Sequence, residues 1–80
     1  MDRKTLVLLE ELFEQAAADL EASGFARTST QLETPTRERV QEAGEFLLEL
    51  AAVRFPALDP YVSSNADGTI TLVLDYQRTR

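Results

Sequence analysis

Carboxylate side chains dominate the chemistry that this sequence can offer. The main group occupies positions i, i+4, i+7 and i+11 of one segment and consists of Glu38, Glu42, Glu45 and Glu49. On a helix this spacing forms one continuous face; we call it the acidic stripe. An earlier segment carries a similar row made of Glu10, Glu14 and Glu21. Gln41 flanks the stripe, Arg3 precedes the earlier row, and no Lys or Arg interrupts the stripe.

Three kinds of chemistry could use such carboxylates. Paired carboxylates act as general acid and base when a cleft separates their pKa values, but a stripe on one helix provides no cleft. Surface glutamates bind divalent ions weakly, and residues 63–74 make a poor calcium loop, with Ser63 first and Leu74 twelfth. We therefore expect no catalytic residue, no metal and no cofactor. Docking on a basic surface remains, and its alternative is a solvated helix face.

Like charges four residues apart on a helix cost a few tenths of a kcal/mol each. A sequence selected only for helix stability would place lysine within the row, so the stripe favours the docking interpretation. The seven glutamates of the stripe and the earlier row are the candidate partner-binding residues.

Composition excludes several classes of protein. The 80 residues contain no Cys, His or Trp, which rules out disulfides, Cys/His zinc sites and His-dependent nucleophiles. The net charge of -6 disfavours direct binding to nucleic acid and favours a basic partner. Only four apolar residues, Leu6 to Leu9, follow the charged start, too few for a signal peptide or a membrane span. We therefore expect a cytoplasmic protein of a bacterial cell.

Periodicity predicts a first helix over residues 2–23. Asp2 is a suitable N-cap and Gly24 a suitable residue just past the end. Val7 and Leu8 lie off the apolar face, where they could contact a partner or a second copy. The apolar face comprises Leu6, Leu9, Leu12, Phe13, Ala16, Ala17 and Leu20.

A second helix is predicted over residues 35–54. Thr34 would be its N-cap and Pro35 its first helical residue, and Pro56 disfavours helix at the residue before it. The acidic stripe lies on this helix. Its apolar face comprises Val40, Ala43, Phe46, Leu47, Leu50, Ala51 and Val53.

The remaining segments predict a hairpin and a loop. Residues 61–64 and 69–76 form two strands joined by a turn at residues 65–68 that ends in Asp67-Gly68. Residues 25–34 are polar, rich in Ser and Thr and without helical period, so we expect a connecting loop, although β-branched residues allow a short strand. The apolar face of the second strand comprises Ile70, Leu72, Leu74 and Tyr76.

Together these elements predict one α+β domain over residues 1–80, with two helices packed on a small antiparallel sheet. Strand 69–76 would have one open edge, which invites another strand. We favour a homodimer through this edge or through Val7 and Leu8, because small domains gain from extra burial. Residues 25–34 or a target protein are alternatives, and Asp75 with Arg78 and Arg80 could instead blunt the edge.

From Gly24 onward the sequence resembles a group of small uncharacterised proteins of bacteria and mobile elements. That group has a proline-started helix, as at Thr34-Pro35, then a proline before a short strand, as at Pro60-Tyr61. An Asp-Gly turn and an Ile-x-Leu-x-Trp strand follow, as at Asp67-Gly68 and Ile70, with Leu74 here in place of the tryptophan. The resemblance implies the fold and no activity.

These observations favour a non-enzymatic interaction protein that binds and inhibits a basic, nucleic-acid-binding target. An antidefence inhibitor of a phage or mobile element, of the anti-CRISPR kind, fits the size and charge. A second interpretation is a small antitoxin or chaperone-like module, which would bind through Val7 and Leu8 or the free strand edge. A small enzyme is the third, and the absent catalytic groups disfavour it.

Overall fold

A computed structural model of the chain describes residues 1–79. This part contains two helices and three strands: α1 (Arg3–Ser23), β1 (Phe25–Gln31), α2 (Arg37–Arg54), β2 (Tyr61–Ser64) and β3 (Thr69–Asp75). The strands form one antiparallel sheet in the order β1-β3-β2. The predicted α+β class, with two helices and a small antiparallel sheet, is confirmed.

The ends of α1 are those that the sequence predicts. The Asp2 carboxylate accepts the backbone N–H of Thr5 at 2.8 Å and caps the first turn. Gly24 has φ of +80°, and its N–H donates to the Leu20 carbonyl at 2.7 Å. This left-handed residue ends the helix and turns the chain directly into β1.

The segment after α1 is a strand, so the prediction of a connecting loop over residues 25–34 is wrong for most of its length. β1 pairs along all seven of its residues with β3, from Phe25 opposite Asp75 to Gln31 opposite Thr69. Its helix-facing positions are Ala26, Thr28 and Thr30. Small and β-branched side chains fit the half-covered sheet beneath a helix, although they give the sequence a polar appearance.

This pairing also corrects the predicted open edge: of the occupants considered for it, the segment 25–34 of the chain itself supplies the missing strand. Both sides of β3 are occupied, by β1 and by β2, so the edge of strand 69–76 is not available to a second copy. The free edges of the sheet belong instead to β1 and to the short strand β2.

The N-terminus of α2 lies two residues later than predicted. Thr36, rather than Thr34, is the N-cap, and its hydroxyl accepts the N–H of Arg39 at 3.2 Å. Pro35 is therefore outside the helix, where it packs against Gly68. The C-terminal end agrees with prediction, since Arg54 is the last helical residue and Pro56 follows closely.

The predicted hairpin is confirmed. Gly68 donates its N–H to the Asn65 carbonyl at 3.0 Å, and Gly68 has φ of +92°. The Asp67 carboxylate accepts the N–H of Thr69 at 3.0 Å and fixes the start of β3. Tyr76, predicted as the last residue of the strand, lies just beyond it and is half exposed.

Both helices cover one face of the sheet, with α1 over β1 and α2 over β2. The core between the layers contains the predicted apolar faces of α1 and β3 except Leu6 and Tyr76, with Ile70, Leu72 and Leu74 fully buried. Leu8, predicted to lie off the apolar face of α1, packs against this core. Val53 is the main error on α2, because it is 84% exposed rather than part of the apolar face. No helix in residues 1–79 has the length and apolar character needed to cross a membrane.

Candidate functional site: an acidic helical layer and an edge groove

The acidic stripe lies on the exposed side of α2. All four glutamates are exposed, while Ala43, Leu47 and Ala51 are fully buried on the opposite side. The Glu42 carboxylate lies 3.1 Å from the amino group of Met1. The Glu45 carboxylate accepts a hydrogen bond from Gln41 at 3.3 Å.

No arginine or lysine within residues 1–79 forms an ion pair with the stripe. Apart from Glu42, which pairs with the amino group of Met1, the charge of the stripe is thus left to solvent or to a partner.

The row on α1 is less uniform. Glu10, Glu14 and Glu21 are all exposed, but the Glu14 carboxylate lies 2.9 Å from the guanidinium of Arg54. Arg54 also lies over the ring of Phe55, 5.9 Å from its centroid. Glu14 therefore joins the two helices, which makes it a less available contact for a partner than Glu10 or Glu21.

These two contacts show how the helices lie. Met1 is beside Glu42, and Glu14 is beside Arg54, so α1 and α2 run side by side in the same direction. Five acidic residues lie on α1 and four on α2. The basic residues of the helices all lie within the first three positions of a helix or at its last position; they are Arg3, Lys4, Arg37, Arg39 and Arg54. Between these ends, every charged residue of both helices is acidic.

Helix stability does not account for this placement on α1. A helix is stabilised by acids in its first turn and bases in its last turn, since these oppose the partial charges of its ends. The first turn of α1 has Arg3 and Lys4 and no acid, and its last turn has no base. Apart from the Asp2 cap, the charges of α1 therefore do not follow the helix dipole.

A groove that the sequence did not reveal runs between α1 and β1. One cavity, of about 350 Å³, lies against the first half of α1 and the middle of β1. It is lined by Leu8, Glu11, Leu12, Gln15 and residues 28–30. Leu12 is nearly buried and Leu8 is half-buried, so the floor is apolar and the rim polar. We call this the edge groove.

A larger cleft continues the edge groove toward the start of α1. Its volume is about 390 Å³, and Leu8 and Glu11 line both cavities. Val7, which is 46% exposed, and Leu32 add apolar surface, and a Lys4–Glu33 ion pair of 2.8 Å lies on its rim. Val7 and Leu8, predicted to face a partner, thus lie in a cleft; the partner itself stays a prediction.

Nothing in the described part of the chain resembles a metal centre, since no three potential ligand side chains come together there. The Asp67 carboxylate, in the turn between β2 and β3, has a structural role. The hydrogen bond from the Thr69 backbone lowers the pKa of Asp67. The same kind of bond, from the Thr5 backbone, lowers the pKa of Asp2 at the start of α1.

Comparison with protein-family models, curated proteins and solved structures finds no match to this chain. The sequence resemblance to small mobile-element proteins therefore stays a prediction. The acidic stripe and the edge groove are the two features of the structure that bear on function.

Proposed function

We propose that this protein is a non-enzymatic interaction protein that binds a basic target through the acidic stripe of α2. The observation that carries the proposal is the row of four exposed carboxylates without an arginine or lysine partner in residues 1–79. Charge of one sign on a rigid face attracts a complementary surface and speeds encounter with it.

A target that normally holds nucleic acid fits this face. Such proteins present rows of Arg and Lys side chains to phosphates, and a row of carboxylates at helical spacing can engage the same cations. Occupation of that surface would block nucleic acid. The protein would then be an inhibitor, of the antidefence kind that phages and mobile elements produce against bacterial nucleases.

The test compares two variants with the same change in net charge. Glu45→Lys/Glu49→Lys reverses half of the acidic stripe, whereas Asp19→Lys/Asp59→Lys reverses two carboxylates outside it. Tagged wild-type protein and both variants are incubated with a bacterial lysate, and captured proteins are identified by mass spectrometry. We expect a basic nucleic-acid-binding protein to be captured by the wild type and the control variant and lost with the stripe variant.

Salt and function provide the second part of the test. Raising the salt from about 0.1 M to 1 M shortens the screening distance from about 10 Å to 3 Å, so stripe-driven capture should be lost. The purified target should also lose its binding of nucleic acid when the wild-type protein is added. Capture that survives both high salt and the stripe variant would refute the proposal.

A second candidate is a small antitoxin or chaperone-like module that holds a segment of its partner. The edge groove favours it, because its apolar floor lies beside a strand with a free edge. Such binding would respond little to salt and strongly to changes at Leu8.

A further inference from the structure

The outer edge of β1 carries backbone groups that no strand in residues 1–79 uses. Leu32 donates its N–H to the Gly68 carbonyl at 3.0 Å, and Tyr76 donates to the Gly24 carbonyl at 3.1 Å. Hydrogen-bonded pairs alternate along an antiparallel ladder, so the even-numbered residues of β1 bond to β3. The odd-numbered residues therefore direct their N–H and C=O groups away from the sheet.

Three residues of this edge are open. The Phe25 carbonyl already accepts the Ser23 hydroxyl at 3.1 Å, which covers the first position. Arg27, Ser29 and Gln31 remain, with three N–H donors and three carbonyl acceptors in one row. A row of this kind is a template for an extended chain, which can pair with it as a further strand.

The edge groove lies directly beside this row. Ser29 belongs both to the row and to the lining of the groove, and Leu8 and Leu12 form the floor on the α1 side. In a strand added to β1, every second side chain would point toward the helices. Those side chains would enter the groove and cover its apolar floor.

Two polar features of the edge groove indicate what the chain should carry. Glu11 is the only charged residue that lines it, and it has no ion pair within residues 1–79. The Thr28 hydroxyl is buried there without a hydrogen-bond partner in the same residues. A Lys or Arg side chain would complement Glu11, and a polar group entering beside it could satisfy Thr28.

We propose that the free edge of β1 and the edge groove bind an extended peptide segment of a partner protein as a fourth strand, with apolar side chains directed at Leu8 and Leu12 and a basic side chain at Glu11. A second copy of this chain fits less well. Pairing through the same edge would place two Glu11 side chains and two acidic α1 helices next to each other, and like charges at an interface oppose association. This site is separate from the acidic stripe and can hold or fail independently of it.

The probe is a seven-residue peptide with blocked ends, as long as β1. It carries Val, Val, Lys and Val at positions 1, 3, 5 and 7 and Thr at the other three, so that apolar and basic side chains share the face that enters the edge groove. It is titrated to millimolar concentration into isotopically labelled protein, and backbone amide shifts are followed by NMR. We expect saturable shifts at Arg27, Ser29 and Gln31 and at Glu11 and Gln15. No shift at these positions, or shifts on the acidic stripe alone, would overturn the proposal.

Backbone pairing is tested on the peptide, which leaves the fold of the protein untouched. Two further peptides carry N-methyl groups at all odd-numbered positions or at all even-numbered positions, so that one of them cannot donate along the edge that meets β1. We expect that peptide to bind about tenfold more weakly. Equal binding of all three peptides would show that no strand is added.

Matched protein variants test the edge and the charge. Arg27→Pro removes the arginine charge and one outward backbone N–H, whereas Arg27→Ala removes the charge and keeps the N–H. The proline variant should therefore bind the peptide about 3- to 10-fold more weakly than the alanine variant. Glu11→Arg should weaken binding about fivefold, while the charge-matched variant Asp59→Arg, outside the acidic stripe and both cavities, should leave it unchanged. Equal effects of the last two variants would reduce the interaction to net charge and refute the site.

A second copy as the occupant would give a different result. Amide shifts at Arg27, Ser29 and Gln31 would then depend on protein concentration in the absence of peptide. Light scattering would report a dimer under the same conditions. This outcome would replace the proposed partner segment by the chain itself.

Discussion

Replacement of Gly68 by alanine should destabilise the protein more than the same change at Gly24, although both glycines have positive φ. Gly68 has φ of +92° and Gly24 has φ of +80°. A Cβ at Gly68 would lie 2.6 Å from the Cβ of Pro35 and 3.2 Å from the Leu32 carbonyl oxygen. A Cβ at Gly24 would meet only Tyr76, at an ordinary contact distance of 3.5 Å.

The two sites separate the backbone cost from the packing cost. A side chain in the left-handed region costs roughly 1–2 kcal/mol at either position. The clash with Pro35 adds about 1–3 kcal/mol at Gly68 alone, because a Cβ attached to the backbone cannot rotate away. We therefore expect a loss of about 1–2 kcal/mol for Gly24→Ala and about 2–5 kcal/mol for Gly68→Ala, against a total of roughly 4–12 kcal/mol for a chain of this size.

Urea denaturation followed by circular dichroism measures both losses, provided that the slope of the free energy with urea stays constant. A third variant, Gly68→Ala/Pro35→Gly, removes the opposing Cβ. Relative to the sum of the single changes, it should recover at least about 1 kcal/mol. If the two single alanine variants differ by less than about 0.5 kcal/mol, or if the double variant recovers nothing, the close packing of Pro35 on the hairpin turn is refuted.

Three further changes test the fold and its electrostatics. Leu72→Ala, at a fully buried position of the central strand, should cost about 2–5 kcal/mol in urea denaturation. Thr36→Ala should cost about 1 kcal/mol and Thr34→Ala almost nothing, and the reverse order would restore the predicted helix start. The Thr69 backbone lowers the pKa of Asp67, so its stabilisation is present above the ordinary pKa of 3.8 and is lost as pH falls through the lower folded pKa. Asp67→Asn should therefore flatten the acid side of the stability–pH profile, and an unchanged profile would contradict the role of this bond.

The sequence predicts the helices and hairpin well because their signals are local. Asp2, Gly24 and the Asp67-Gly68 turn act through hydrogen bonds and φ angles within a few residues of themselves. The alternation at Ile70, Leu72 and Leu74 likewise reports burial on one face of a strand.

The errors arise where distant contacts decide the structure. The local signal favours Thr34 as the cap, because proline suits the first helical position, but Pro35 lies outside the helix next to Gly68 and Thr36 is the cap. β1 is polar because one of its faces is uncovered and its other face meets α1 through small side chains. Only the pairing with β3, whose paired residues lie 38 to 50 positions further along the chain, makes it a strand.

Of the two candidate surfaces, one follows from local sequence and the other depends on distant contacts. The acidic stripe could be derived from the sequence, because the spacing of Glu38, Glu42, Glu45 and Glu49 is a property of one helix. The edge groove could not, since it depends on which strand lies at the edge of the sheet. The sequence predicts an open edge on β3, but β3 is the central strand and the open edge belongs to β1. A strand could therefore be added beside α1, and not along β3.

The larger cleft lies between the two proposed surfaces and adjoins both. Glu42 belongs to the acidic stripe and also lines the larger cleft, which continues into the edge groove through Leu8 and Glu11. A partner that presents an extended segment beside a basic surface could therefore occupy both at once. When two contacts are linked, binding at one surface raises the effective concentration of the partner at the other. The affinity of each surface alone can then be low while the intact partner binds tightly. The isolated peptide would then respond only to changes in the edge groove, whereas an intact partner of this kind would respond to changes in either surface.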